Sequence, residues 1–390
     1  MEKTLLRFFF CTFCLIGVAL SAKAQKFVYD LDFLFYFDNR EYHSPYSDAQ
    51  TLLGARLSPE IGVSIDDNTQ GLHRLMAGAQ YCQPLNKNFL DAKLMPTLYY
   101  QYKKKGYNLH FGAVPYRKLM HTLPEFYLSD SINYAHPNLY GALVQITGKR
   151  GFLELYCDWY GLQSRTTREA FQLMVDGEFR AKVFYAGGYI SLTHLANKAA
   201  PEPRLGVCEK FSVNPLVGIN LSPITPLDSF TVQAGYILGY NRERETATQH
   251  ISHGVHADIY LQWRFLALRN NFFYGNNFMP FFKELGAEFH RGNPFFQSKI
   301  YNRTDLIVYL FRKDFVECRF AWNIHYTPND KIGHQQQIIL QFNLGKALPK
   351  NRRKIVRQKT CYFRFKVSTV ISGLAPILGR STVSPKPMLT

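Results

Sequence analysis

The chain has 390 residues with a formal net charge of +17, and aromatic residues make up 15% of it. Eleven Lys or Arg and no acid fall within residues 346–390, so the charge gives little support to nucleic-acid binding by the rest. Five cysteines follow residue 24, far apart and without C-x-x-C spacing, which disfavours a disulfide framework or a zinc site. They are Cys82, Cys157, Cys208, Cys318 and Cys361.

The N-terminus has the layout of a secretory signal peptide. Lys3 and Arg7 precede an apolar run, and Ala22-Lys23-Ala24 offers a cleavage site. A membrane anchor helix is the alternative, but the run is short for a span of about 20 residues. We therefore predict a signal peptide at residues 1–24 and an exported protein.

The rest of the chain is dominated by alternation with a period of two. In VECRFAWNIHYT, residues 316–327, apolar side chains alternate with Glu317, Arg319, Asn323 and His325, which predicts a strand with one apolar and one polar face. The same pattern recurs in long segments elsewhere, and it predicts sixteen strands. They lie near 27–38, 51–65, 71–82, 92–103, 107–116, 139–147, 152–162, 168–176, 181–194, 207–220, 229–240, 254–266, 267–274, 299–311, 315–326 and 335–344.

The predicted connections sort by parity. Those after even-numbered strands tend to be tight, such as Lys104-Lys105-Gly106, and those after odd-numbered strands tend to be long, such as 117–138 and 275–298. Outer-membrane barrels have short periplasmic turns and long external loops, whereas a soluble sandwich has no reason to sort its loops. We predict an all-β, closed up-and-down antiparallel transmembrane barrel at residues 25–345, although Pro59, Pro96, Pro115 and Pro215 fall inside proposed strands.

In this barrel the apolar faces would contact lipid and the charged faces would line the lumen. An open lumen would make the charged set a pore lining, and a plugged lumen would make it a set of mutually paired ions; we favour the open pore. Both signs of charge are present, so no strong charge selectivity is expected. The predicted pore-lining residues are Arg56, Glu60, Arg74, Glu154, Asp158, Asp258, Arg264, Glu317 and Arg319.

Two long loops keep apolar residues, which is typical of functional loops. The loop at 117–138 would either constrict the pore or form an external cap. Its candidate constriction residues are Arg117, Lys118, His121, Glu125 and Asp130. The aromatic stretch 272–296 would either stack on sugar rings or pack on the barrel rim.

Few sequence patterns indicate a metal-binding or catalytic site. In HISHGVH, His250, His253 and His256 could hold a metal ion, but a polar loop running into a strand explains them as well, and we predict no metal or cofactor. Ser64, His110 and Asp158 are residue types that a barrel enzyme with a Ser/His/Asp group would use, yet nothing in the sequence brings them together. We therefore predict that the protein is not an enzyme.

The signal peptide, FYFDNREYHSPYSDAQTLLGARLSPEIG, HRLMAGAQY and IILQFNLGK together resemble the porin-like outer-membrane barrels of Gram-negative bacteria, particularly uncharacterised members. The resemblance covers residues 1–346 and implies an outer-membrane location, with lipid and the barrel assembly machinery as partners. It departs from the family pattern because 45 residues follow Gly345, where such barrels usually end.

The function that we predict from this resemblance is passive diffusion of small polar solutes. An outer-membrane enzyme and a surface binding or adhesion barrel are the alternatives. We expect residues 346–390 to be a basic, disordered tail that the barrel does not need.

Overall fold

A computed structural model describes residues 25–67, 69–199, 206–328 and 330–345. The predicted signal peptide and the predicted tail lie outside these residues. The described residues form sixteen antiparallel strands, each paired with its neighbours in the chain, and β1 pairs with β16 to close the barrel. The predicted fold class is therefore confirmed. The strands are β1 Gln25–Glu41, β2 Gln50–Asp66, β3 Leu72–Pro84, β4 Lys93–Lys104, β5 Tyr107–Pro115, β6 Asn138–Thr147, β7 Gly151–Gly161, β8 Ala170–Ala181, β9 Phe184–Leu195, β10 Cys208–Asn220, β11 Ser229–Glu243, β12 Gln249–Trp263, β13 Leu266–Gly275, β14 Ile300–Arg312, β15 Val316–Tyr326 and β16 Gly333–Gly345.

Alternation decides which side chains face the interior. In β15, Trp322 and Tyr326 are exposed on the outer wall, whereas Asn323 and His325 are buried inside. The outer wall carries a broad apolar surface, which includes Leu57, Ile61, Leu98, Phe111 and Val217. Among the described helices, none is long and apolar enough to cross a membrane.

The two ends of the barrel differ, as the loop lengths predicted. We call the end where β1 starts and β16 stops the turn end, and the opposite end the loop end. The turn end has mostly short connections, although eight residues, 221–228, join β10 to β11. Two strand boundaries were wrong by about five residues. The strand β8 continues to Ala181 instead of ending near 176. The strand β12 begins at Gln249 instead of near 254, so HISHGVH is part of the strand, with Ser252 and His256 buried inside.

The prolines inside strands sit where the ladder is interrupted on one side. Pro59 pairs with Leu31 of β1 but not with β3, and Pro215 pairs with Gly188 of β9 but not with β11. Because proline lacks a backbone donor, it fits a position with one unpaired edge. No register shift is needed at either position.

The loops after β5 and β13 fold into the barrel. We call residues 116–137 the plug loop, which contains helix α1, Asp130–Ala135, and a 3-10 turn at Tyr116–Lys118. We call residues 276–299 the cap loop, which contains the short helix α2, Phe282–Leu285, and 3-10 turns at Gly286–Glu288 and Pro294–Gln297.

Candidate active site

The start of the plug loop reaches far towards the turn end. Lys118 Nζ lies 2.6 Å from Asp30 Oδ2, and Arg117 Nη2 lies 2.7 Å from Glu60 Oε2. Burial lowers the pKa of Lys118, and Asp30 offsets this only in part. Burial also acts to lower the pKa of Arg117, but Glu60 and Asp32 more than offset it, so its pKa is raised. The loop is thus held by ion pairs to β1 and β2 that water does not reach.

Above these ion pairs the barrel interior has an apolar core. Plug-loop side chains pack with cap-loop side chains and with apolar residues of the inner wall. Burial of several large side chains stabilises this arrangement by roughly 1.5–3 kcal/mol for each one. The core includes Leu119, Leu123, Phe126 and Tyr127 of the plug loop, Phe278, Met279, Phe295 and Phe296 of the cap loop, and Met76, Met174 and Ile237 of the wall.

Arg291 of the cap loop joins both loops to the wall. Its Nη1 donates to Asp158 Oδ2 at 2.6 Å and to the Tyr116 hydroxyl at 2.8 Å. Its guanidinium also lies 4.4 Å from the ring centroid of Tyr160. Burial raises the pKa of Tyr116 well above its ordinary value, which keeps the phenol neutral beside Asp158.

The predicted pore-lining residues fall into two groups. Arg56, Glu60, Glu154 and Asp158 are buried beneath the plug loop. The second group is less deeply buried. Arg74 is half-buried, and Asp258 pairs with Arg269 at 2.8 Å. Glu317 and Arg319 pair with each other at 2.9 Å. Arg264 is different, because β12 ends at Trp263 and Arg264 lies exposed in the turn to β13 with a positive φ of 53°.

The predicted constriction residues all lie in the plug loop, which enters the barrel. Arg117 and Lys118 make the ion pairs above, and the His121 ring packs edge-on against Phe152. Glu125 accepts a hydrogen bond from Asn293 of the cap loop at 3.0 Å and pairs with Arg303 of β14. Asp130 begins α1 close to the loop end.

A cavity of about 150 Å³ lies at the loop end, between β1, α1 and the cap loop. We call it the mouth cavity. One side of it is polar and carries charges of both signs, and the other side is apolar. The polar lining includes Arg40, Tyr42, Gln50, Asp130, Ser131, Arg303 and Gln335, and the apolar lining includes Ile132, Phe282, Ala287, Pro294 and Phe295.

Three side chains define the chemistry of the polar side. Arg40 Nη1 donates to Ser131 Oγ at 2.7 Å, and Arg40 Nη2 donates to Asp38 Oδ2 at 2.7 Å. The Asp130 carboxylate is 37% exposed, and its nearest cation is Arg303 at 3.8 Å. A serine hydroxyl, an accessible carboxylate and an oriented guanidinium therefore line the same small cavity.

A chain of hydrogen bonds through Gln335, His325 and Tyr301 orients the Asp38 carboxylate. Gln335 Nε2 donates to Asp38 Oδ1 at 2.6 Å, and Gln335 Oε1 lies 2.9 Å from His325 Nε2. Because that oxygen can only accept, Nε2 carries the proton, and Nδ1 accepts from the Tyr301 hydroxyl at 2.8 Å. His325 is fully buried behind Gln335, so it positions Asp38 and does not face the cavity.

Sequence reasoning missed this constellation. Asp38 and Arg40 alternate inward on β1, which the FDNREY segment could have signalled, but Ser131 meets them only because the plug loop folds inward. Ser64, His110 and Asp158 lie on β2, β5 and β7, which are not neighbouring strands, so the barrel does not bring them together. The described residues contain no group of three or more His, Cys, Asp or Glu side chains that could hold a metal ion.

Solved structures similar to this chain are outer-membrane proteins of Pseudomonas aeruginosa. OccK9 (OpdG) has a TM-score of 0.50 at 9% identity, with 82% of this chain and 98% of that chain covered. OpdK has a TM-score of 0.49 at 11% identity, with 82% and 99% covered. At these identities the likeness to OccK9 supports the fold alone. No curated protein sequence matches the chain.

A family model described as lipid A 3'-O-deacylase-type matches residues 19–373. This match overturns our prediction that the protein is not an enzyme, because the family is named for removal of an acyl group. The barrel fold supports the predicted resemblance to porin-like barrels, but the family match does not. Since the match spans most of the sequence, the chain belongs to the lipid A 3'-O-deacylase-type family.

Proposed function

We propose that this protein is an outer-membrane esterase that removes an acyl chain from lipid A at the mouth cavity. The outer-membrane-type barrel and the family match support this proposal. The turn end would face the periplasm and the loop end the cell exterior, where the outer leaflet carries the substrate. The observation that carries the proposal is the cavity, which combines an accessible carboxylate, a serine and a guanidinium with an apolar wall.

The filled interior argues against the passive channel that we predicted from the sequence. A diffusion pore needs a continuous path of water past its lining side chains. Here Asp30, Glu60, Glu154 and Asp158 of the wall are each at most 1% exposed. The enzyme alternative is therefore better supported than the passive channel.

The chemistry that we propose uses Asp130 as the general base. Its carboxylate would take the proton from an attacking hydroxyl, either a water molecule or Ser131 Oγ, as that oxygen bonds to the ester carbonyl carbon. The Arg40 guanidinium would stabilise the negative charge that develops on the carbonyl oxygen. The ester C–O bond then breaks, and protonated Asp130 returns its proton to the leaving sugar oxygen. If Ser131 is the nucleophile, the acyl group remains on its Oγ, and a water molecule activated by Asp130 would then hydrolyse that ester, freeing the fatty acid and restoring the serine hydroxyl.

The apolar wall of the cavity is suited to the acyl chain. Phe282 and Phe295 line it, and α1 contributes Ile132. A cavity of about 150 Å³ can hold a molecule of benzene, so we expect it to enclose about six carbons of the chain. The remaining carbons would extend along the rim of the barrel into lipid.

The test is acyl release by the purified protein, folded in detergent and supplied with lipid A, with the free fatty acid measured by mass spectrometry. Asp130→Asn should lower the rate by about 10²–10⁴-fold. Arg40→Gln should lower it by about 10²–10³-fold. Asp48→Asn is the matched control, because Asp48 is an exposed carboxylate in the loop after β1.

Ser131→Ala distinguishes the two nucleophiles. Loss of activity together with loss of a covalent acyl-protein adduct would identify Ser131 as the nucleophile, and retained activity would identify water. If wild type releases no fatty acid, or if Asp130→Asn is as active as Asp48→Asn, the proposal is wrong.

A further inference from the structure

A polar row crosses the outer wall at the loop end of β8–β11. Phe171, His194, Glu209 and Arg242 are consecutive register partners, one on each strand, and all point outward. We call these four residues, together with Trp159 of β7 and Arg244 after β11, the interface row. Charged residues on the outer wall of a barrel need an explanation, because burial of a charge in hydrocarbon is costly.

The position of the interface row along the barrel axis explains why its residues can carry charge. The next outward-facing row towards the turn end consists of register partners that are all apolar or aromatic. Its residues are Leu173, Leu192, Phe211 and Tyr240. The interface row is therefore the first polar level above the apolar band, which is the depth of lipid headgroups.

The row combines stacked rings with cationic groups. The Trp159 and Phe171 rings stack with centroids 4.9 Å apart, and the Phe171 and His194 rings stack at 5.0 Å. His194 Nδ1 lies 3.6 Å from Glu209 Oε1, and Arg244 donates to Glu209 while its side chain stays 51% exposed. Arg242 is exposed and makes no ion pair with another described residue.

We propose that the interface row binds the phosphate-bearing headgroup of an outer-leaflet glycolipid. Two arginines against one glutamate leave an excess of positive charge, which favours an anion over a neutral headgroup. Arginine also matches the geometry of phosphate, to which it can donate two parallel hydrogen bonds. The stacked rings at the same level are suited to a sugar ring.

This site is separate from the mouth cavity. The cavity is bounded by β1, whereas the row spans β7–β11 on the other side of the sixteen-stranded ring. The inference rests on the proposed membrane location and not on the proposed hydrolysis. An experiment can therefore contradict headgroup binding at the interface row without contradicting hydrolysis at the mouth cavity, and the reverse is also true.

Trp159 provides a direct readout, because the chain has only three tryptophans. In the Trp263→Phe/Trp322→Phe variant, Trp159 fluorescence reports on the row alone. The detergent-solubilised full chain is titrated with bisphosphorylated lipid A and, separately, with the same lipid after enzymatic removal of its phosphates. We expect saturable binding of the phosphorylated lipid and at least fivefold weaker binding of the other.

Charge variants in the same background test the assignment to arginine. Arg242→Gln and Arg244→Gln should each weaken binding by about fivefold. Glu209→Gln should strengthen binding, because it removes the acid that pairs with Arg244. Arg150→Gln, an exposed arginine at the turn end, is the control. Equal binding of both lipids, or an unchanged affinity in Arg242→Gln/Arg244→Gln, would overturn the proposal.

Discussion

Two sides of the inner wall carry the same alternation of charged residues but differ in burial. On the side of β1 and β2, Glu60 pairs with Arg117 of the plug loop, and their side chains are 0% and 9% exposed. On the side of β15, Glu317 pairs with Arg319 within one strand, and their side chains are 22% and 39% exposed. The difference shows that a loop, and not the wall, decides whether a charged lumen is a water-filled lining or a sealed core.

Removal of the plug loop should have the largest effect on this difference in burial, because it would expose the charged residues on the side of β1 and β2 to water. We expect the wild-type protein to be electrically silent in a planar lipid bilayer. Replacement of residues 119–135 by a short Gly-Ser linker should give stable conductance, because it removes the plug-loop side chains of the apolar core that fills the lumen. Steady conductance by the wild type at the same protein density would contradict the sealed lumen.

A buried ion pair and a water-screened ion pair should also differ in the effect of losing one arginine. Arg291→Met leaves Asp158 buried and without its cation, which should cost about 3–5 kcal/mol of unfolding free energy. Arg319→Met removes a pair that water screens, so the cost should be about 0.2–1 kcal/mol.

Urea unfolding in detergent, followed by the heat-dependent shift in gel mobility, measures both variants. Equal destabilisation would mean that the plug loop does not desolvate the charges beneath it.

Acid should loosen the junction between the two loops by a smaller amount. Burial acts to raise the pKa of Glu125, but the Arg303 and Arg269 guanidiniums more than offset it, so its pKa in the folded protein is lowered. The carboxylate therefore contributes its full stability above the ordinary glutamate pKa of about 4.3, and this contribution is lost as the pH falls through the folded-state value. Glu125→Gln should be less stable than wild type at neutral pH, and the gap should close in acid. A gap that stays constant between neutral and acid pH would refute this role.

The sequence predicted the barrel well because its evidence is local. Alternation in segments such as 316–326 is set by the period of the strand and needs no partner to be recognised. The sorting of loop lengths then identified the class of barrel, and the pairing of β1 with β16 followed from closure of the sheet.

The site could not be predicted in the same way, because it depends on contacts across long stretches of sequence. Ser131 lies 91 positions from Arg40, and Gln335 lies 297 positions from Asp38. No sequence motif encodes either contact. The inward fold of the plug loop brings Ser131 to Arg40, and closure of the barrel brings Gln335 to Asp38. Whether the lumen is open or filled depends on the inward fold of the plug loop, which is decided by packing and not by composition.

The central claim is that the mouth cavity removes an acyl chain from lipid A. The most direct measurement is the mass of lipid A recovered from outer membranes of cells that produce either the wild-type protein or Asp130→Asn at equal levels. We predict that the wild type yields lipid A lighter by one acyl chain, lost from the 3' position, and that Asp130→Asn yields lipid A of unchanged mass. Identical lipid A from both strains would contradict the account.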